Sequence, residues 1–324
     1  MSLRDPVLET KDLKTFFYTR EGVVKAVNGV NLHLERSQVL GVVGESGCGK
    51  SVTSLAILRL VPRPGKIISG EILFNGTDLL KLSIPEMRNI RGERISMIFQ
   101  EPMISLNPAF TIGNQLMEAV RVHRKVGRAE ARDRAIEYLT MVGIPAPERR
   151  IREYPYQLSG GMRQRVMIAE SLLLNPDILI ADEPTTALDV TIQAQILDIL
   201  HGLTQKSKTA IMLITHNLGL VAEWAQQVVV IYAGKIVEQG PVKAIFENAS
   251  HPYTHGLLRS IPIPGQRRGE KLHEIRGIVP SLVDLPRGCA FHPRCSSCQP
   301  VCTKKEPPWH TVETGHRVAC WLFT

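Results

Sequence analysis

Hydrophobic positions along this chain follow two rhythms. Short, wholly apolar runs at Val39–Val43, Ile95–Phe99, Ile178–Ala181, Ala210–Ile214 and Val228–Tyr232 read as strands buried on both faces, because a strand covered on one face alternates instead. Between them, a 3.6-residue period at Val52–Leu60, Ile112–Val122, Glu130–Val142, Ile192–Leu203 and Leu218–Trp224 predicts helices. The alternation predicts a parallel sheet wound with helices and interrupted by a helical insert over about 105–175. Asn75-Gly76 suits a type I′ turn and predicts a hairpin after Glu71–Phe74, and Ala233-Gly234-Lys235 turns the chain into a last strand pair. Pro241–Phe246 reads as a short helix. Beyond about 250 the texture becomes Pro- and Gly-rich with little period, too poor in apolar residues for a core of its own.

Chemistry falls at the ends of the predicted strands. Gly44-Glu45-Ser46-Gly47-Cys48-Gly49-Lys50-Ser51 fits G-x-x-x-x-G-K-[ST] between a strand and a helix. Such a loop wraps phosphates with the amides of Gly44, Ser46, Gly47, Cys48, Gly49 and Val52, bridges the outer phosphates through Lys50, and holds Mg²⁺ on Ser51. Asp182-Glu183 closes a buried strand: Asp182 is placed to reach Mg²⁺, and Glu183 to polarise water for attack on a γ-phosphate. Gln100 ends another strand and offers an amide oxygen to Mg²⁺ or to that water. His216 ends a third, within reach of the γ-phosphate. Leu158-Ser159-Gly160-Gly161 precedes a helical run, so it is a second phosphate-binding helix start. One nucleotide rarely needs two such loops from one molecule, which points to a site shared between two chains.

Composition narrows the classes. The chain is 44% hydrophobic and 22% charged, as folded soluble proteins are, and no apolar run is long enough to span a bilayer. The first 30 residues are charged and alternate polar with apolar, so no secretory signal is expected. Net charge is +8, and 11 of the 39 Lys and Arg, against 6 of the 31 Asp and Glu, lie beyond residue 240. Aromatics are only 5% and interleave with no basic run, which argues against nucleic acid as a partner.

Taken together, Gly44–Ser51, Gln100, Leu158–Met162, Ile178–Glu183, Ala187-Leu188-Asp189 and His216 resemble the motif set of ABC-transporter ATPase subunits, over roughly residues 8–245. The resemblance implies an α/β fold: a P-loop NTPase (RecA-like) core with an antiparallel β subdomain and a helical subdomain, spanning 1–248. A small irregular Cys-rich extension at 249–324 follows. It also implies ATP and Mg²⁺ as ligands, Glu183 as general base, His216 as γ-phosphate switch and Asp189 as a cross-dimer contact. Ser159, Gly160 and Gly161 then face the partner's ATP. Phe17 best fits the aromatic that stacks on adenine, with Phe16 and Tyr18 as competitors.

Five of the six cysteines crowd the end of the chain: Cys289, Cys295, Cys298, Cys302 and Cys320. In a reducing compartment that is a metal signal, although neither the paired spacing of structural zinc nor a ferredoxin spacing is matched. His292, His310 and His316 are further candidate ligands, and Arg287, Arg294, Lys304, Lys305 and Arg317 would offset thiolate charge. The stretch from His251-Pro252-Tyr253-Thr254 to Gly288–Cys295 resembles the C-terminal extension of oligopeptide/dipeptide importer ATPases. That resemblance implies a [4Fe–4S] cluster on Cys289, Cys295, Cys302 and Cys320, with Cys298 as alternate ligand and Zn²⁺ as the alternative metal. It further implies a subunit driving di- and oligopeptide import from the cytoplasmic face of the membrane, and Lys50-Ser51-Val52-Thr53 resembles the D-type of the two related ATPases. Its partners would be an F-type paralogue or a second copy, transmembrane permeases and, indirectly, an extracellular solute-binding protein. Related nickel or oligosaccharide importers, and a soluble ABC-class protein without a permease, are the alternatives.

Overall fold

A computed structural model describes residues 6–100, 105–184, 193, 195–200, 202, 208–260 and 274–324. The chain divides into two compact units. The first comprises Met1–Leu34, Gln38–Leu80 and Leu213–Thr324, and the second Glu35–Ser37 and Lys81–Met212.

The first unit opens with two long antiparallel strands, β1 (Leu8–Thr19) and β2 (Gly22–Leu34). β3 (Val39–Val43) is buried at every position, as its unbroken apolar run requires, and feeds the glycine loop and the helix Lys50–Ile57. That helix starts two residues before the apolar period does, because the polar Lys50 and Ser51 already form its first turn. β4 (Gly65–Phe74) and β5 (Thr77–Asp78) form the expected hairpin, with Asn75 at φ 47° and Gly76 at φ 80°, the left-handed pair a type I′ turn needs. The four make an antiparallel sheet in the order β2-β1-β4-β5.

In the second unit β6 (Ile95–Ile98) pairs in parallel with β7 (Ile178–Asp182), and all residues of both are buried. Helices Ile112–His123, Arg128–Met141 and Gly160–Leu172 lie between them in sequence, matching the expected helical insert. β8 (Ala210–Ile214) has its first three residues in this unit and its last two in the first. The expected helix at Ile192–Leu203 is described only in part: residues 193, 195–200 and 202 are helical, and the others lie outside the described residues.

Back in the first unit, helix Leu218–Trp224 leads to β9 (Gln227–Tyr232), parallel to β3, and then to β10 (Lys235–Pro241), antiparallel to β9. Short helices Val242–Asn248 and Pro252–Arg259 follow. Sequence reasoning missed the hairpin of β11 (Trp309–Glu313) and β12 (His316–Ala319). β12 adds to the edge of β10, giving the order β11-β12-β10-β9-β3. Both strands are too short to display a period, and β11 is largely exposed, so neither carries the apolar run that marks a buried strand.

Among the described residues of the second unit, the Glu170 carboxyl is strongly perturbed. Burial first, and then the like charge of Glu118, push the Glu170 carboxyl from an ordinary 4.5 up to about 7. A carboxyl whose folded value is raised holds its proton longer in the folded state, so ionising it above pH 7 costs stability. That cost fades as pH falls toward 5. Glu170→Gln is therefore expected to raise stability by about 1–3 kcal/mol at pH 8 and by less than half of that near pH 5, read from thermal melts.

Candidate functional site

The first unit carries the glycine loop. Gly44 sits at φ 153°, and a Cβ there would collide with the Ile231 carbonyl oxygen; Gly49 sits at φ 103°, where a Cβ would collide with the Ala26 carbonyl oxygen. Neither position admits a side chain, so the backbone of β9 and β2 sets the course of the loop. Lys50 is buried, and its Nζ donates to the carbonyl oxygens of Gly44 (2.8 Å) and Glu45 (2.9 Å). Ser46 and Gly47 are exposed, and Ser51 and Val52 are half-buried. The amide of Cys48 donates to the Glu45 carbonyl (3.4 Å), and its side chain is fully buried. Burial pushes that thiol up, against the pull of Lys50, so Cys48 is a small space-filler and not a reactive thiol.

His216 lies two residues beyond β8 and is exposed. The amide of the preceding Thr215 donates to the Val42 carbonyl on β3 (3.3 Å), which fixes this turn beside the strand that feeds the loop. Among the aromatic candidates, Phe17 is half-buried with its ring against Gly65. Tyr18 is 47% exposed, with Lys66 Nζ 5.9 Å from its ring centroid.

The second unit carries the carboxylates. Asp182, the last residue of β7, is buried, and Glu183 turns the backbone into the left-handed region at φ 49°. A non-glycine residue there costs about 1–3 kcal/mol, a strain that clusters at functional sites. Gln100 Nε2 donates to Glu183 Oε2 at 3.5 Å, so two residues singled out for the attacking water do meet. Ser159 caps the helix Gly160–Leu172: its Oγ accepts from the Met162 amide (3.3 Å), and the hydroxyl proton is still able to donate outward. Ser159 and Gly160 are exposed. One functional tie went unnoticed in the sequence. Gln164, 1% exposed, donates from Nε2 to the Pro184 carbonyl, locking the helix Gly160–Leu172 to the residue after Glu183. A buried Gln in an amphipathic helix was the available signal. Asp189 lies outside the described residues.

The cysteines belong to the first unit. Cys302 and Cys320 are buried, Cys289 and Cys295 half-buried and Cys298 exposed; all are free thiols. Burial, and then the charges Cys302, Cys320 and Cys295 would carry, push the Cys289 thiol up to about 11. Cys320 is raised in the same way, by burial and then by Cys295, Cys302 and Glu238. These thiols are therefore neighbours that repel one another when ionised, and a bound cation relieves such repulsion. A single ion does not fit the side chains as they stand. Tetrahedral zinc needs sulfurs about 3.8 Å apart, and among the described residues no three His, Cys, Asp or Glu side chains converge to hold an ion.

Two sequence expectations need correcting. His316 is not a metal ligand in this arrangement: it is wholly buried, with Nε2 2.8 Å from Glu238 Oε1. Arg294 does not serve the thiolates either, because its guanidinium is bonded to Glu45 in the glycine loop (2.7 and 2.9 Å).

A family model described as ABC transporter matches residues 27–186, and one described as oligopeptide/dipeptide transporter, C-terminal region, matches 237–302. The chain is 52% identical over 318 residues to the probable peptide ABC transporter ATP-binding protein y4tR of Sinorhizobium fredii (strain NBRC 101917 / NGR234), covering 98% of this chain and 95% of that protein. It is 51% identical over 318 residues to the oligopeptide transport ATP-binding protein OppD of Bacillus subtilis (strain 168), covering 98% and 89%. Among solved structures it resembles the dimeric post-hydrolysis state of the ATP-binding cassette MJ0796 bound to ADP and Pi. There the TM-score is 0.67 and the identity 27%, covering 72% of this chain and 98% of that one.

Exposure separates the five tail thiols experimentally. In the folded protein at pH 7.5, iodoacetamide is expected to label Cys298 at least about tenfold faster than Cys289 or Cys320, read by peptide mass spectrometry. Equal rates would contradict the described packing.

Proposed function

Since this chain belongs to the ABC transporter ATP-binding family and carries the oligopeptide/dipeptide C-terminal region, we propose that it is the ATPase subunit driving import of di- or oligopeptides through membrane permeases. The presence of both matches on one chain carries this reading, because the cassette supplies ATP hydrolysis and the C-terminal region distinguishes this transporter group. No helix among the described residues is long and apolar enough to cross a membrane, so any transmembrane path is supplied by partners. The working location we infer is the cytoplasmic face of the membrane. The working unit is a pair of ATPase subunits, with an F-type paralogue as partner and a second copy as the alternative.

The residue roles follow from chemistry. Lys50 leaves the carbonyls of Gly44 and Glu45 for the outer phosphates of ATP, and Ser51, Asp182 and Gln100 serve Mg²⁺. Glu183 takes the proton from the attacking water, Gln100 aligns that water, and His216 contacts the γ-phosphate. Ser159, Gly160 and Gly161 present a helix N-terminus to ATP held by the partner, and by resemblance Asp189 would contribute to the cross-dimer contact. Splitting the anion-binding groups between two molecules makes hydrolysis conditional on closure of the pair, and closure is what a transporter couples to movement of its permease.

Residues 249–324 act as a stapled extension, and Cys289, Cys295, Cys302 and Cys320 would hold a [4Fe–4S] cluster of structural role, with Cys298 as the spare thiol. Support comes from four mutually repelling thiols, two of them buried. Such a group supplies cross-links between chain segments that are otherwise poor in core.

Two measurements test this reading. Glu183→Gln is expected to bind ATP with near-normal affinity, lose at least about 10²-fold in turnover, and accumulate as an ATP-bound pair on size exclusion. Hydrolysis within about threefold of wild type would remove Glu183 as the base. Protein purified without oxygen is expected to be brown and to carry iron and sulfide. A colourless protein with one zinc per chain would replace the cluster with the alternative metal.

A further inference from the structure

Within the first unit, Glu45 of the glycine loop is held at its carbonyl, its amide and its carboxylate, and the groups that hold the last two come from beyond residue 250. Its carbonyl accepts from Lys50 Nζ (2.9 Å), its amide donates to the Tyr253 hydroxyl oxygen (2.8 Å), and its carboxylate takes a two-pronged ion pair from Arg294 (2.7 and 2.9 Å). Arg294 stands between Pro293 and Cys295, in the cysteine-rich segment. Its remaining donors are also fixed: Nε bonds the Arg276 carbonyl (3.0 Å) and Nη2 the Ile275 carbonyl (3.3 Å). The guanidinium lies within 6 Å of the Tyr232 and Phe291 ring centroids. The Arg294 side chain is 4% exposed and that of Glu45 28%, so water screens this pair weakly.

A carboxylate on the second residue of a loop that wraps phosphates repels the nucleotide unless its charge is cancelled. Arg294 cancels it from the side away from solvent, with the planar fork that a lysine lacks. We propose that Arg294 is a positioning residue for nucleotide binding: by neutralising and holding Glu45, it makes the ATP affinity of the glycine loop depend on the folded cysteine-rich segment. By linkage, nucleotide then favours the ordered state of that segment to the same degree. The proposal rests on reading Gly44–Ser51 as the ATP loop.

The test is a double-mutant cycle read as the Kd for ATP in the full-length chain, with Lys50→Ala as control. Arg294→Met is expected to weaken ATP about tenfold by leaving Glu45 charged and unopposed. Adding Glu45→Gln to Arg294→Met is expected to return the Kd to within about threefold of wild type, because the repelling charge is gone. Arg294→Lys keeps the charge without the fork and is expected to weaken ATP by about threefold, which supplies the comparison if Arg294→Met does not fold. A Kd unchanged by the Arg294 substitutions overturns the proposal. So does a loss that Glu45→Gln fails to recover, since damage to packing alone has no reason to respond to a charge on the loop. Normal ATP binding by Lys50→Ala would instead sink the loop assignment, a distinguishable result.

Discussion

The C-terminal arrangement depends on one buried carboxylate. Glu238 on β10 has no exposure, and it accepts from the amides of Ser250 (2.6 Å) and His251 (3.0 Å) while pairing with His316 on β12 (2.8 Å). An ionised carboxylate removed from water costs several kcal/mol unless its lone pairs are satisfied, so these three partners are obligatory. Satisfying them fixes the start of helix Pro252–Arg259 and the last strand at once. Tyr253 then packs at a tilt against Tyr232 and Phe291, with centroids 4.6 and 5.4 Å apart, and its hydroxyl meets the glycine loop. One satisfied charge thus carries the irregular tail to the nucleotide-binding end of the unit.

The glycine loop is constrained from the other side by backbone, not by side chains. Carbonyls of Ile231 and Ala26 occupy the space a Cβ on Gly44 or Gly49 would need, while the Gly234 amide donates to the Cys48 carbonyl (2.9 Å). A loop framed by three neighbouring segments keeps its amides aimed without help from a ligand, which lowers the ordering cost of binding an anion. Lys50 Nζ donates to the Gly44 and Glu45 carbonyls, contacts that the proposed function would have it exchange for phosphate oxygens.

What was legible in the sequence is what local chemistry dictates. Wholly apolar five-residue runs at Val39–Val43 and Ala210–Ile214 have only one comfortable state, Asn75-Gly76 has one turn type, and Ser159 before two glycines is a helix cap. The candidate site residues stood out for the same reason, since Asp182, Glu183, Gln100 and His216 lie at or within two residues of a buried strand's end. Long-range pairings left no local trace. Glu45 and Arg294 are 249 residues apart and each reads alone as an ordinary surface charge. His316, among cysteines, suggested a ligand, because nothing near it in sequence shows that Glu238 awaits it 78 residues away. The hairpin β11–β12 escaped because its stability comes from joining β10, not from a pattern of its own.

Charge in the tail illustrates the same point in energetic terms. A surplus of Lys and Arg beside five thiols suggests, on counting alone, a counter-charge for thiolates. Yet Arg294 is committed to Glu45, Arg317 lies over the Trp309 ring at 5.2 Å, and Lys235 pairs across to Glu306 at 2.6 Å. Burial and mutual repulsion then raise the Cys289 and Cys320 thiols instead of lowering them. Arg294 and Lys235 accordingly tie this segment to the rest of the first unit.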